Sequence, residues 1–429
     1  MIVIITVDPG TADEFDTSPT HCTFDALLRN SVTPSVFSAS ASEISVAEPE
    51  SAATCIAGFP AGTLPTSTNI YMGMVHGAIY DAVTSLAGGY EPYIGRLEAE
   101  PDASKVAATA AAAHGVLSEL FPDQSADLQT RLEETLAAVS DGPAKDAGIA
   151  VGEAAAQAML AAREGDGMGG ENPLIYDDGP GRYRPTPPDF AEYPDAGIAN
   201  VRMFLADDSA YYRTPGPLAL DSPEYAAEFE EVKMLGARDG SARTPEHEEL
   251  MAFWFGPIPQ WAQVERSLTA EHELGIEEAA RLFAMANLAA ADASVACHAD
   301  KYHWMLWRPI AAIHEADTDG NPATEADPSW EPVAPTPPYP EHPSGWNCYA
   351  GAHVGALREF FGTDELAYQI SSPDVPEPRT YDSFSQGLQE GIDLRIYQGI
   401  HFRTADEQGA DLGLKAASLA NERLSPRTD

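Results

Sequence analysis

The stretch from Glu277 to Trp307 constrains the fold most. It is alanine-rich, helical in period and free of proline and glycine, and it reads as one long helix. Asn287, Asp292 and Asp300 are embedded in it. Strand-type alternation is hardly present anywhere else in the chain, so the expected class is all-α. Near its end the helix carries Lys301 and Arg308, and cations are scarce here: the chain has five lysines against 67 acidic residues. Seven residues make about two helical turns, so the two should project from one side, roughly 10 Å apart along the axis, as a grip for an oxyanion. Pro309 should mark a kink or the helix end.

With 429 residues, 44% of them hydrophobic, the chain can bury a large core. Its net charge is -43. Such a surface repels free nucleic acid and anionic membranes. Acidic excess with so little lysine fits a protein kept soluble in concentrated salt, where screening shortens the Debye length to about 3 Å at 1 M. Cys22, Cys55, Cys297 and Cys348 are far apart in sequence and form no C-x2-C pair, so neither a zinc ribbon nor a disulfide framework is indicated. The apolar run Met1 to Val7 lacks a basic flank and ends at Asp8-Pro9-Gly10, which is not a signal peptide. No window of about 18 apolar residues is found, so no membrane span is expected. A soluble protein follows, cytoplasmic or secreted without a recognisable signal.

Residues 1–65 are rich in Ser, Thr, Ala and Pro and read as a variable, poorly ordered extension. A helical domain, 66–425, should follow. Order begins near Ile70, where YMGMVHGAIYDAV puts Met74, Ala78 and Ala82 on one face; His76 reads as a core histidine. From Ala103 to Arg163, breaks at Phe121-Pro122-Asp123 and Asp141-Gly142-Pro143 leave three helices. Residues 164–221 form a long Gly- and Pro-rich stretch whose tyrosines favour an ordered flap. Ser222-Pro223 through Gly236 and Thr244-Pro245 through Gly256 each have the punctuation of a helix. Asp317 to Asp327 lacks the spacing of a calcium loop. Helices are then expected over 347–361, 381–397 and 406–424.

Pro343-Ser344-Gly345 should open a helix, where free N–H groups and a partial positive charge suit an oxyanion. Ser344 adds a hydroxyl. Arg395 and His401 flank Gly399, so a turn could aim guanidinium and imidazole at one point. His401 has the chemistry of either a nucleophile or a neutral ligand to a metal oxyanion.

The order K-x6-R-P, P-S-G, R-x5-H over residues 70–420, with MVHGAIYDAV, RYRPTPP, SPEYAAEFEEVKMLG, DGNPAT and GIHFRTADEQG around it, resembles the vanadium-dependent haloperoxidase family, in a superfamily shared with type 2 phosphatidic acid phosphatases. The resemblance implies haloperoxidase-like helical bundles with long connecting loops, and vanadate as cofactor. Lys301, Arg308 and Arg395 would neutralise its equatorial oxygens, Ser344 and the Gly345 N–H would hydrogen-bond to them, and His401 would bind the metal. Partners would be hydrogen peroxide, a halide and a small organic acceptor, with room for a homodimer; Tyr339 stands where the family places residues facing the halide. An acid phosphatase working through a phosphohistidine at His401, and a catalytically degenerate oxyanion-binding protein, are the alternatives.

Two departures stand out. The family's acid/base His after P-S-G is Trp346 here, with His342 and His353 on either side of the gap. Its Asp four residues after the axial His is Ala405, with Asp406 one place later, which leaves open what orients His401.

Overall fold

A computed structural model describes residues 65–254, 259–372 and 375–427. Residues 1–64 of the expected extension, and the expected helix end at Gly256, lie outside them. Twelve α-helices run in chain order among the described residues: α1 (Pro65–Ala87), α2 (Lys105–Leu120), α3 (Ser125–Ala137), α4 (Pro143–Arg163), α5 (Pro223–Leu235), α6 (Pro245–Trp254), α7 (Pro259–Glu271), α8 (Ile276–Trp304), α9 (Pro309–His314), α10 (Gly345–Phe361), α11 (Phe384–Tyr397) and α12 (Arg403–Arg423). The class is all-α, as expected. The β-structure consists of a hairpin of β1 (Tyr368–Ile370) and β2 (Arg379–Tyr381), paired antiparallel, and a few isolated bridges. Three residues per strand leave no alternation to read.

The starts follow the sequence. Ser104, Ser222 and Ser383 each accept a hydrogen bond from an amide in the first turn of α2, α5 and α11. Pro143 and Pro223 occupy first helical positions, where a missing N–H costs nothing. The ends are less legible. α8 stops at Trp304, because Met305 turns left-handed at φ 50 and its N–H closes on the Lys301 carbonyl at 2.9 Å. Arg308 therefore does not sit two helical turns beyond Lys301. It lies in extended backbone as the N-cap of α9, and Pro309 opens that helix instead of ending the previous one. Six residues are too few to show a period, and α7, whose buried face mixes Trp261, Val264 and Leu268 with Glu265 and Thr269, was hidden by its polar members.

α8 is the spine. It is long and apolar enough to cross a membrane, contrary to the sequence expectation, but 94% of that window is buried inside the protein. Along one side it packs on α1, which with α2 and α4 makes one bundle; along another it packs on α10 and α12, which with α11 make a second. Small residues bring these helices close. A methyl group on Gly413 of α12 would overlap the Cys348 carbonyl oxygen of α10, and one on Gly351 would overlap the Ala410 carbonyl.

Between the bundles runs the 164–221 stretch, without an α-helix but ordered. Asp292, buried in mid-α8, accepts the backbone N–H groups of Phe204, Leu205 (3.1 Å) and Ala206 (3.0 Å) and the Tyr212 hydroxyl (2.9 Å). Arg163 grips the carbonyls of Met203 and Arg202. A second apolar cluster joins α5, α9 and the α11–α12 junction through Phe229, Trp307, Ile313, Trp330, Ile396 and Phe402. Burying each such side chain contributes about 1.5–3 kcal/mol. Trp307 and Phe402 are next to Arg308 and His401 in sequence, so this cluster fixes the backbone that presents both.

Candidate functional site

The site is built around a strap, residues 339–344, that runs from the α9 region into α10. Lys301 reaches it from the last turn of α8 and donates to the carbonyls of Pro340 (3.1 Å), Glu341 (3.0 Å) and Pro343. An ammonium has three donors, so all are engaged on the strap. Arg308 donates through Nε to the Tyr339 carbonyl at 2.8 Å. The Glu341 N–H returns to the Leu306 carbonyl at 3.0 Å, and the Ser344 N–H bonds the Ala405 carbonyl at 2.9 Å. The Tyr339 ring roofs the two cations, with Lys301 Nζ 5.0 Å and Arg308 Cζ 4.9 Å from its centroid.

His401 follows the turn at Gly399, which adopts φ +77 and has no room for a Cβ beside the Gly236 carbonyl and Pro332. Its Nδ1 lies 2.8 Å from Glu341 Oε1, and its Nε2 lies 3.2 Å from an Arg308 terminal nitrogen. That nitrogen also donates to the Ile400 carbonyl at 2.8 Å. Burial, with Arg308, Lys301 and Arg395 adding to it, holds His401 well below the usual imidazole range. The ring is therefore neutral: Nδ1–H donates to Glu341, and the Nε2 lone pair accepts from Arg308. Burial pushes Glu341 up to about 8 against the opposing pull of Arg308 and the Phe402 amide. Burial also brings Lys301 down to about 8.

Arg395 projects from the last turn of α11. It bonds Gln398 Oε1 at 2.6 Å, and its guanidinium carbon lies 5.8 Å from the Trp346 ring. Burial lowers its pKa, with Asp406 opposing. Asp406, in the first turn of α12, accepts from Asn347 Nδ2 at 2.8 Å. Burial raises it to about 7. The Ser344 hydroxyl lies against this carboxyl, close enough to favour its charged form but outside hydrogen-bond geometry. Ser344 is the N-cap of α10 and Gly345 its first residue.

Buried donors of these residues are left without a partner: the second terminal nitrogen of Arg308, Arg395 Nε, Trp346 Nε1 and, beside the Asp406 carboxyl, Ser344 Oγ. Buried donors are costly to leave unpaired, so a cluster of them next to a neutral imidazole nitrogen fits an anion with several acceptor oxygens. Lys301 joins through its charge, its donors being spent on the strap. A nearby cleft lined by Leu218, Tyr225, Glu341, His342 and Phe402 shares Glu341 and His342 with this site but none of its cations.

His342 bonds Thr214 Oγ1 at 3.1 Å, and burial pushes it down to about 3. His353 pairs with Glu265, and His76 stacks on Phe283 at 5.4 Å in the core. The question of what orients His401 is answered by Glu341. Asp406 faces Asn347 and Arg395 instead. Glu341 went unnoticed in the sequence, although it is the only acid between Pro335 and Gly345.

Residues 281–428 match the family model described as the VCPO second helical-bundle domain. A vanadium chloroperoxidase of Curvularia inaequalis is 29% identical over 115 residues, a match covering 24% of this chain and only 18% of that protein. Among solved structures, one described as the first bacterial vanadium-dependent iodoperoxidase superposes with a TM-score of 0.73 at 23% identity, covering 86% of this chain and 93% of that one. A bacterial vanadium-dependent chloroperoxidase in its holo form gives 0.67 at 17% identity, covering 86% and 94%. Residues 281–428 are thus similar to that second helical-bundle domain, and the chain has the fold of the vanadium-dependent haloperoxidases, the family its motifs resemble.

Proposed function

We propose that the protein is a vanadium-dependent haloperoxidase, using hydrogen peroxide to oxidise a halide that then reacts with a small organic acceptor. What supports this reading is the set of unpaired buried donors on Arg308, Ser344, Arg395 and Trp346, with Arg308 in contact with the Nε2 of His401. Bound vanadate would supply a Lewis-acidic centre that activates peroxide toward attack by halide without changing its oxidation state.

The chain's own residues do the rest. Arg308, Arg395, Ser344 and the N–H of Gly345 would hold the oxygens of the anion, and Lys301 would contribute charge through the strap it anchors. His401 would be the residue to offer a nitrogen, Nε2, to the metal, and the Arg308 nitrogen that now donates to it would serve the anion instead. Glu341 keeps the imidazole in the Nδ1–H tautomer that leaves Nε2 free. Tyr339 and Trp346 cover the cations and keep water from screening them.

The same donors suit phosphate, with His401 Nε2 as nucleophile. A phosphatase must also protonate a leaving alkoxide, and Trp346 has only a donor that does not titrate. That favours the peroxidase. The test is hydrogen-peroxide-dependent bromination of a dye in high salt, with and without orthovanadate, alongside hydrolysis of a phosphomonoester. Vanadate-dependent bromination is expected; phosphate hydrolysis alone would reverse the assignment, and binding without either would leave an oxyanion-binding protein.

A further inference from the structure

An oxidised halogen is an electrophile, and the chain holds an electron-rich ring at the site that would produce it. Trp346 lies in the first turn of α10, directly after Gly345. Its Nε1 is one of the unpaired buried donors, and its ring lies 5.8 Å from the Arg395 guanidinium carbon. The edge that carries Nε1 has no side chain over it on the α11 side, because residue 391 is glycine: a Cβ there would stand 3.2 Å from Nε1 and 3.8 Å from Cδ1. Cδ1 is bonded to Nε1, so an indole that offers its N–H to the anion also places its Cδ1–Cγ double bond beside it. None of the other five tryptophans is so placed. Trp254, Trp261, Trp307 and Trp330 are buried, and Trp304, half-buried like Trp346, has its ring against Gly216.

We propose that Trp346 is a modification site, where hypohalous acid formed at the anion site oxidises the indole to an oxindole and the chain thereby limits its own turnover. The inference rests on the peroxidase reading, which supplies the oxidant. The halogen bonds to Cγ as its bond to oxygen breaks, and the hydroxide takes a proton and leaves as water. A second water adds to Cδ1; the halide then departs from Cγ with the bonding pair, Cδ1 loses its hydrogen as a proton, and the ring settles as the oxindole. The indole loses two electrons and gains one oxygen, the halogen takes the electrons and returns as halide, and one proton is released overall.

Proximity decides the competition with dissolved acceptors. Well-oriented groups held together reach effective molarities of about 10⁵–10⁸ M, so a small fraction of that outweighs any acceptor in solution. Tyr339 also lies over the cations, but a phenol is the less electron-rich ring and reacts after the indole.

The test uses the full chain with orthovanadate, bromide and hydrogen peroxide in excess dye, sampled at intervals for peptide mass spectrometry. One oxygen should accumulate on Trp346 in step with the loss of dye bromination. Trp304 and the exposed Met234 should stay unmodified, because the dye consumes whatever escapes. Hypobromous acid added to the vanadate-free chain, again in excess dye, should leave Trp346 intact. Trp346→Phe should carry no such oxygen and should go on brominating after the wild type has stopped; if that variant does not fold, the peptide masses of the parent chain decide. Dye brominated to completion with Trp346 intact would overturn the proposal and leave the peroxidase reading standing. Trp304 or Met234 oxidised as fast as Trp346 would overturn it as well, since the oxidant would then be diffusing freely, and so would oxidation of Trp346 without bromide. No bromination in the presence of orthovanadate would end both.

Discussion

Glu341 Oε1 accepts the Nδ1–H of His401 at 2.8 Å and the backbone N–H of Phe402 at 2.9 Å, so one carboxyl fixes both the imidazole and the chain that carries it. Removing it should free the ring to rotate and swap tautomers. Outer partners of metal-bound histidines are typically worth about 10–100-fold in affinity or activity. Glu341→Ala should therefore weaken tungstate binding, followed by calorimetry, by about that factor. Glu341→Gln keeps an acceptor oxygen and should lose much less. Equal losses in the two variants would mean that the carboxyl's packing matters and its hydrogen bond does not.

Lys301 makes the site sensitive to alkaline pH. Burial holds it down at about 8, so it is charged below that pH and loses its charge as pH rises through it. Anion affinity should be full on the acid side and begin to fall near pH 8, well below where an ordinary lysine, near 10.4, would titrate. Tungstate is a suitable probe because it stays a dianion across this range. Lys301→Met should bind weakly and keep only the part of the fall that comes from Glu341 ionising in the same range, while Lys301→Met with Glu341→Gln should lose the fall altogether; a wild-type affinity flat to pH 10 would show that Lys301 contributes nothing to the anion.

The extent to which this was legible in the sequence follows from which interactions are local. α8 is visible because its alanines repeat over eight turns, and α2, α4 and α5 because a serine cap or a first-turn proline marks their starts. The place of Arg308 is not legible because the left-handed turn at Met305 has no residue signature: methionine rarely adopts φ 50, and it is held there by the Lys301 carbonyl, which takes its N–H, and by the Tyr183 N–H, which donates to its carbonyl. Glu341 and Asp406 were visible as residues but not as partners, since Glu341 meets His401 across sixty positions and Asp406 meets Asn347 across fifty-nine. The donors of Lys301, similarly, were expected on the anion, whereas they hold the strap.

The acidic surface makes its own prediction. Exposed charges of one sign repel in dilute solution and are screened in concentrated salt. With a net charge of -43, the melting temperature should rise from low to molar KCl. A steady fall would contradict the salt-adapted reading.

The α10–α12 contact predicts a stability effect. A methyl at Gly413 would meet the Cys348 carbonyl, the Ala352 nitrogen at 2.5 Å and the Gly351 carbonyl carbon at 2.8 Å, all backbone atoms that cannot swing aside. Gly413→Ala should cost about 1–3 kcal/mol, as overpacking does. Gly95, with no atom within 4 Å of its would-be Cβ and no left-handed backbone, is the control, and Gly95→Ala should leave urea unfolding unchanged.

Trp346 decides how much chemistry the site retains. Its ring lies half-buried beneath the Arg395 guanidinium, and a Cβ on Gly391 would come within 3.2 Å of its Nε1, so the indole is wedged between α10 and α11 with its N–H unpaired. An indole there can donate to an anion oxygen but cannot exchange a proton. Protons for peroxide turnover must then come from water, and the pH optimum should lie on the acid side of neutrality. Trp346→His restores a titrating group at the first turn of α10, at the cost of the cation–π contact with Arg395. Turnover should rise about 10- to 1000-fold, within the usual reach of a positioned acid or base. Tungstate affinity, measured on the same protein, separates a lost site from a silent one. If the histidine variant folds and binds tungstate as the wild type does, and neither protein shows peroxidase or phosphatase turnover, the chain is an oxyanion binder and the enzyme assignment fails.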